Sequence, residues 1–199
     1  MSHTTSMTLK IGMMGVVVAA VFSFGLNATV PAGWYMAGSK PADYEAGVDA
    51  SAVYNDHSSA YLKSKNPAVD GFGTLMQDFS ADKYAGKRIR LRANVKAQGV
   101  RSWAGLWMRV DKQSTSVAFD NMQDRPITGT TGWQNYAVVL NVPQDATGIF
   151  FGVLLTGPGT VWLNSVKVEV VGSEIPATGA SAGTKKLHDE PTNLDFTEQ

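Results

Sequence analysis

Two tryptophans and an arginine share one side of a short alternating stretch: Trp103, Trp107 and Arg109 within WAGLWMRVD, residues 103–111. Ala104, Leu106, Met108 and Val110 fall between them and form an apolar set. Alternation with period two is the signature of a β-strand, whose successive side chains point to opposite faces. The aliphatic set therefore faces a core. The other face carries flat rings beside a guanidinium, a combination suited to stacking on a ring and bonding its polar groups. The same residues would serve equally as core if a loop or a second layer covered them.

The neighbouring segment 88–97 repeats the pattern. Ile89, Leu91, Ala93, Val95 and Ala97 make the apolar set, while Arg88, Arg90, Arg92, Asn94 and Lys96 make the other. Consecutive strands usually lie side by side, so Arg90, Arg92 and Asn94 are expected on one face with Trp103, Trp107 and Arg109. Gln77, from segment 71–79, joins this candidate set. The loop that follows residues 116–120 adds Asp120, Asn121 and Gln123, with Asp124 and Arg125 close by. Amides and carboxylates beside a tryptophan suit sugar hydroxyls. They also suit a turn that bonds its own backbone.

The elements that must hold these residues are short and separated by Gly, Pro, Asn and Asp. Strands are expected at 33–39, 44–49, 60–64, 71–79, 88–97, 103–110, 116–120, 133–142, 148–156 and 160–171, with turns at 65–67, 97–99, 143–145 and 157–159. A single helical turn is expected at 81–85. Regular short strands of this kind predict an all-β, antiparallel, two-sheet sandwich. Trp133 is expected in the core and Trp162 as a structural residue, while Trp34 stands at a strand start.

Composition narrows the chemistry. The 199 residues carry a formal charge of zero, contain no cysteine and have three histidines. Disulfides, thiol nucleophiles and thiolate metal sites are excluded, and the balanced charge predicts no nucleic acid partner. Hydrophobic residues make up 44 % of the chain, enough for one ordinary core. Lys10 precedes an apolar run at 11–26, and Ala28 offers a small residue after it. That order fits a signal peptide over residues 1–28, with a membrane anchor as the alternative. A periplasmic or secreted protein is expected, or an inner-membrane-anchored one if the segment is not cleaved.

Gly71-Phe-Gly-Thr-Leu-Met-Gln-Asp-Phe-Ser80, Tyr84-Ala-Gly-Lys-Arg-Ile-Arg-Leu-Arg-Ala93 and Gly157-Pro-Gly-Thr-Val-Trp-Leu-Asn-Ser-Val-Lys-Val-Glu169 resemble segments of jelly-roll domains of the carbohydrate-binding-module and galactose-binding-like kind. The resemblance implies a jelly roll over residues 31–171 and ligands on its concave sheet or rim loops. Many such domains have acidic residues where this chain has Asn164-Ser165, so the structural calcium of some relatives is doubtful here and no other cofactor is expected. Residues 172–190 have a linker composition. Residues 191–199 resemble the opening strand of such domains, which implies either a permuted strand, pairing within the chain or in a homodimer, or a frayed tail.

Asp120, Asp124, Asp78, Glu45 and Tyr61 could move protons, and His57 could reach in from a loop. None stands in a motif with catalytic mechanics. The expected function is therefore an exported, non-catalytic binding module for a carbohydrate or other small polar ligand. A polysaccharide lyase or hydrolase on the same face, and a structural interaction domain, are the alternatives.

Overall fold

The computed structural model describes residues 26–27 and 29–181. The expected signal up to residue 25, the rest of the expected linker beyond residue 181, and the expected strand at 191–199 lie outside them. The described chain is an antiparallel β-sandwich: β1 (Leu26–Asn27), β2 (Tyr35–Gly38), β3 (Tyr44–Tyr54), β4 (His57–Ser64), β5 (Phe72–Ser80), β6 (Arg88–Lys112), β7 (Thr115–Asp120), β8 (Ile127–Asn141), β9 (Gly148–Thr156), β10 (Thr160–Val171) and β11 (Ala180–Ser181). One 3-10 turn, Pro41–Asp43, is the sole helical element among the described residues. Leu26 and Asn27 pair with Asp49 and Val48, so the end of the expected leader contributes an edge to the sheet.

The strands run in the order β1-β3-β4-β10-β6-β9-β5-β2, and β7 and β8 also pair with β6. β6 is the hinge of the sandwich. Its first half lies against β10, from Gln98 back to Arg88. Its second half lies against β9, from Trp103 to Asp111. The expected turn at 97–99 is instead a bend inside one strand. Gly99 takes φ +60°, a conformation that costs glycine little, and the register against β8 slips on both sides of it. The bend also shifts the alternation by one residue. Odd positions from Ile89 to Ala97 are buried before it, and even positions from Ala104 to Val110 are buried after it. An extra residue in a strand produces such a shift.

The inward sets of both halves enter one core with Leu62, Leu75, Val138, Leu140, Ile149, Val153, Val161 and Leu163. Trp34 packs against this core, edge-on to Phe151 at 5.4 Å. Trp133 does not enter it. It packs with Tyr54 at 5.2 Å and with an outer cluster of Ala52, Tyr61 and Trp162. Trp162 is buried, and its indole N–H donates to Asp49 Oδ2 at 2.7 Å.

The expected linker begins as ordered structure. Arg88 Nη1 donates to the carbonyls of Ser173 and Ile175, at 2.9 and 2.7 Å. Thr178 N donates to Val139 O, and Ala180 pairs with Phe119. Residues 172–181 are thus strapped onto the sandwich.

Candidate functional site

β1, β3, β4, β10, β8 and the first half of β6 make the first layer of the sandwich. The second half of β6 with β7, β9, β5 and β2 makes the second, whose outward face is a grid set by strand register. Phe72, Thr156 and Trp103 form one row across β5, β9 and β6. Thr74, Leu154 and Gly105 form the next, then Met76, Gly152 and Trp107, then Asp78, Phe150 and Arg109. Outer faces of antiparallel sheets are normally polar, yet most of these side chains are apolar. All of the grid but its two glycines, Asp78 and Phe150 floors a cleft of about 370 Å³. Ala37 and Gly38 of β2 close one side of it, and Phe119 of β7 with Asn121 closes the other.

Each wall has a local cause. Gly105 lies between the two tryptophans, and a Cβ there would come within 2.6 Å of Asn121 O and 3.1 Å of Met122 Cβ. The missing side chain lets the loop after β7 settle over β6. That loop is shaped by Asp120, whose Oδ1 accepts from Met122 N at 2.8 Å, while Met122 takes φ +62°.

Trp107 is floor rather than platform. It is buried, and its indole N–H donates to Thr74 Oγ1 at 2.8 Å, which donates in turn to Val153 O at 2.9 Å. Trp103 is half-buried and lines the cleft. Phe72 and Phe119, on opposite sides, are 38 % and 41 % exposed. Arg109 is the charged residue of the lining. Its guanidinium lies 4.6 Å from the centre of the Phe150 ring, and its Nη2 donates to Asp111 Oδ2 at 2.9 Å. Arg109 Nε and Asp111 Oδ1 are buried without a hydrogen-bond partner among the described residues. Beyond them, burial and a bond to Asp78 push the Tyr35 hydroxyl up to about 12.

Of the residues expected from the sequence, the cleft gathers Trp103, Trp107, Arg109 and Asn121. It does not gather Arg90, Arg92 and Asn94, because the two halves of β6 serve different layers. Arg90 and Arg92 both bond Glu169 Oε1 on β10. Bonds from Lys167 and Arg90 hold that carboxyl down at about 2. Asn94 Oδ1 accepts from Asn135 at 3.4 Å. Gln77 has the parity of Leu75, and its amide donates to Gly33 O beside Trp34. Asp120 is buried behind the wall, paired with Arg125 at 2.6 Å. Gln123 lines a shallower depression with Asp124 and Gly179.

Phe72, Met76, Leu154 and Phe119 also belong to the cleft, although no pattern in the sequence marks them. β5 and β9 are apolar on both faces, so neither shows the alternation that would have marked an outward set. Asn164 Nδ2 donates to His57 O, Ser58 O and Ser59 Oγ. This donor role is one that a carboxylate cannot fill. Among the described residues no group of three or more His, Asp or Glu is placed to hold a metal.

Comparison with known proteins supplies a relative and a fold. No family model matches the chain. The chain is 47 % identical over 169 residues to the uncharacterized HTH-type transcriptional regulator YbfP of Bacillus subtilis (strain 168). The match covers 84 % of this chain and 57 % of that protein, so the chain spans little more than half the length of the relative. Among solved structures, it is similar to the Stig cyclase Fisc from Fischerella sp. TAU, with a TM-score of 0.54, 14 % identity, and coverage of 76 % of this chain and 91 % of that one. It is also similar to the CBM22-1 xylan-binding domain of Paenibacillus barcinonensis Xyn10C, with a TM-score of 0.51, 13 % identity, and coverage of 71 % and 87 %. At such identities the likeness is one of fold, and the sandwich expected from the sequence is the fold these proteins share.

The relative corrects the expected function. An exported, non-catalytic module for a carbohydrate or other small polar ligand was expected, with a lyase, a hydrolase or a structural domain as alternatives. The named relative is instead an HTH-type transcriptional regulator. Rings beside an arginine on a sheet face suit a small ligand and do not by themselves say what its binding serves. A helix-turn-helix needs two α-helices, and the described residues contain none.

Proposed function

We propose that the sandwich is the effector-sensing part of a transcriptional regulator, and that its effector is a small molecule with a flat apolar ring. The carrying observation is the cleft itself. An apolar hollow of about 370 Å³ lies on the outer face of a sheet, where water would otherwise wet Phe72, Phe119 and Trp103. Such hollows, with few polar groups, are typical of small-ligand sites. In this reading the ring lies against Trp103 between Phe72 and Phe119. Arg109 and Asn121 meet its polar edge, and Trp107 keeps the floor rigid. Contact with DNA belongs to helices outside the sandwich.

A sugar could stack its C–H face on Trp103 as well, and the fold shared with xylan-binding modules keeps a glycan in the comparison. The lining favours an aromatic ring, because only a few lining groups, Arg109, Asn121 and the threonines among them, can meet hydroxyls. The test is a panel of aromatic heterocycles and of mono- and oligosaccharides, screened by tryptophan fluorescence and thermal shift. An aromatic compound is expected to bind, and Trp103→Ala to abolish its binding. Grafting this chain in place of the matching segment of the Bacillus regulator should make a reporter respond to the same compound. Binding that survives Trp103→Ala, or a reporter indifferent to the bound compound, overturns the proposal.

A further inference from the structure

The end of β7 faces two ways. Phe119 and Asn121 line the cleft, while Asp120 between them points behind it and is buried. There Asp120 Oδ2 accepts from the hydroxyl of Thr178 and, at 2.6 Å, from Arg125 Nη2. Thr178 is fastened twice more: its N–H donates to Val139 O at 2.9 Å, and its hydroxyl accepts from Val139 N at 2.8 Å. Gly179 follows so closely that a Cβ there would come within 2.5 Å of Phe119 O and 2.7 Å of Asp120 Cβ. The end of the segment 172–181 is therefore held in part by Phe119, which walls the cleft, and by Asp120 behind it, while Val139 and Arg88 hold the rest.

We infer that residues 172–181 are a strap whose attachment is coupled to occupancy of the cleft through Phe119, Asp120 and Asn121. The inference rests on the cleft being a ligand site. A ring seated against Phe119 and Asn121 restricts the end of β7, and this keeps Asp120 aligned with Thr178. Binding and strap closure then favour each other, and such coupling is reciprocal. A packed strand end with side chains on two surfaces is a direct mechanical route between them, because moving either face moves the shared backbone.

The probe is indole, followed by the Trp103 indole N–H signal in NMR spectra and by hydrogen exchange of residues 174–181. Saturating indole is expected to slow that exchange about fivefold, the low end of coupling between sites. Thr178→Val, which removes the hydroxyl at nearly constant shape, should speed the exchange and weaken indole binding by a similar factor. Thr178→Ser should restore both. Without ligand, Thr178→Val should still shift the Trp103 and Asn121 signals. If Thr178→Val does not fold, Asp120→Asn is read in the same way. Indole bound equally by wild type and variant, with unchanged exchange, overturns the coupling and leaves the cleft reading standing. Failure of indole to bind counts against the cleft reading, and the ligand-free arm then decides the coupling. Shifted Trp103 and Asn121 signals support it, and unmoved signals overturn it.

Discussion

Trp103 and Trp107 lie four positions apart on one face of β6, and their environments assign them different work. Trp103→Ala removes an accessible wall, so it should abolish measurable binding of a ring ligand and leave the melting temperature nearly unchanged. Trp107→Ala empties a buried site that packs Met76 and Leu154, and should cost about 3–5 kcal/mol. Chemical denaturation of both variants, with ligand titration, checks the pair. Equal stability losses would refute the assignment. Asp120 adds a pH dependence. Burial pushes its carboxyl up, but bonds from Arg125, Thr178 and the Met122 amide more than offset this and hold it below the usual range. A carboxyl with a lowered folded value stabilises the protein above its unfolded value of about 3.9, and that contribution fades as pH falls through the folded value. Asp120→Asn should therefore lower stability at neutral pH by about 2 kcal/mol, as for hydrogen bonds to charged groups. The gap from wild type should close in strong acid. A gap constant from pH 7 to pH 2 would show that the carboxylate charge is not what matters.

At the scale of elements, the sequence showed the strands better than it showed their assignment to layers. Segments 148–156 and 160–171 are strands with the expected bounds. The sequence divides β6 at Gly99, because Ala97-Gln98-Gly99 reads equally as a turn and as a bulge. The change of buried parity, from odd up to Ala97 to even from Ala104, was present in the sequence and is a bulge signature. Read that way, it separates Arg90, Arg92 and Asn94 from Trp103 by half a strand. The opposite wall was hidden for a different reason. Phe72 and Met76 stand out from β5 while Leu75 and Phe79 face in, so hydrophobicity alone cannot choose the face and Gln77 is misplaced. The Asp120–Thr178 pair spans 58 positions, a separation no local pattern reports. Gly105, by contrast, gives a sharp prediction from local geometry. Gly105→Ala puts a methyl against Asn121 O and Met122, and should cost about 1–3 kcal/mol by overpacking while lifting the loop that walls the cleft. Loss of ligand affinity should accompany the loss of stability. Full affinity in a folded Gly105→Ala protein would remove that loop from the site.

At the scale of the molecule, the two layers cannot be separated without cutting β6. Ile89 to Val95 and Ala104 to Val110 are inward sets of one strand and enter one core. No hydrophobic boundary divides that core, and the strand that closes one layer begins the other. Unfolding of one layer would strip β6 of half its partners and expose the inner face of the remaining layer. A single cooperative transition is therefore expected, as for most single domains of this size. The tryptophans provide the test, because Trp133 and Trp162 report on the first layer and Trp34, Trp103 and Trp107 on the second. Two variants, Trp133→Phe with Trp162→Phe and Trp34→Phe with Trp107→Phe, leave fluorescence dominated by one layer each and keep Trp103 in place for the ligand. Their urea transitions by fluorescence should coincide with their own far-ultraviolet circular dichroism. A ligand bound only in the second layer should then raise the midpoint seen from the first layer by the same amount, since mass action on a two-state fold shifts every probe together. A midpoint that moves in the second layer alone would show that the bend at Gly99 uncouples the layers.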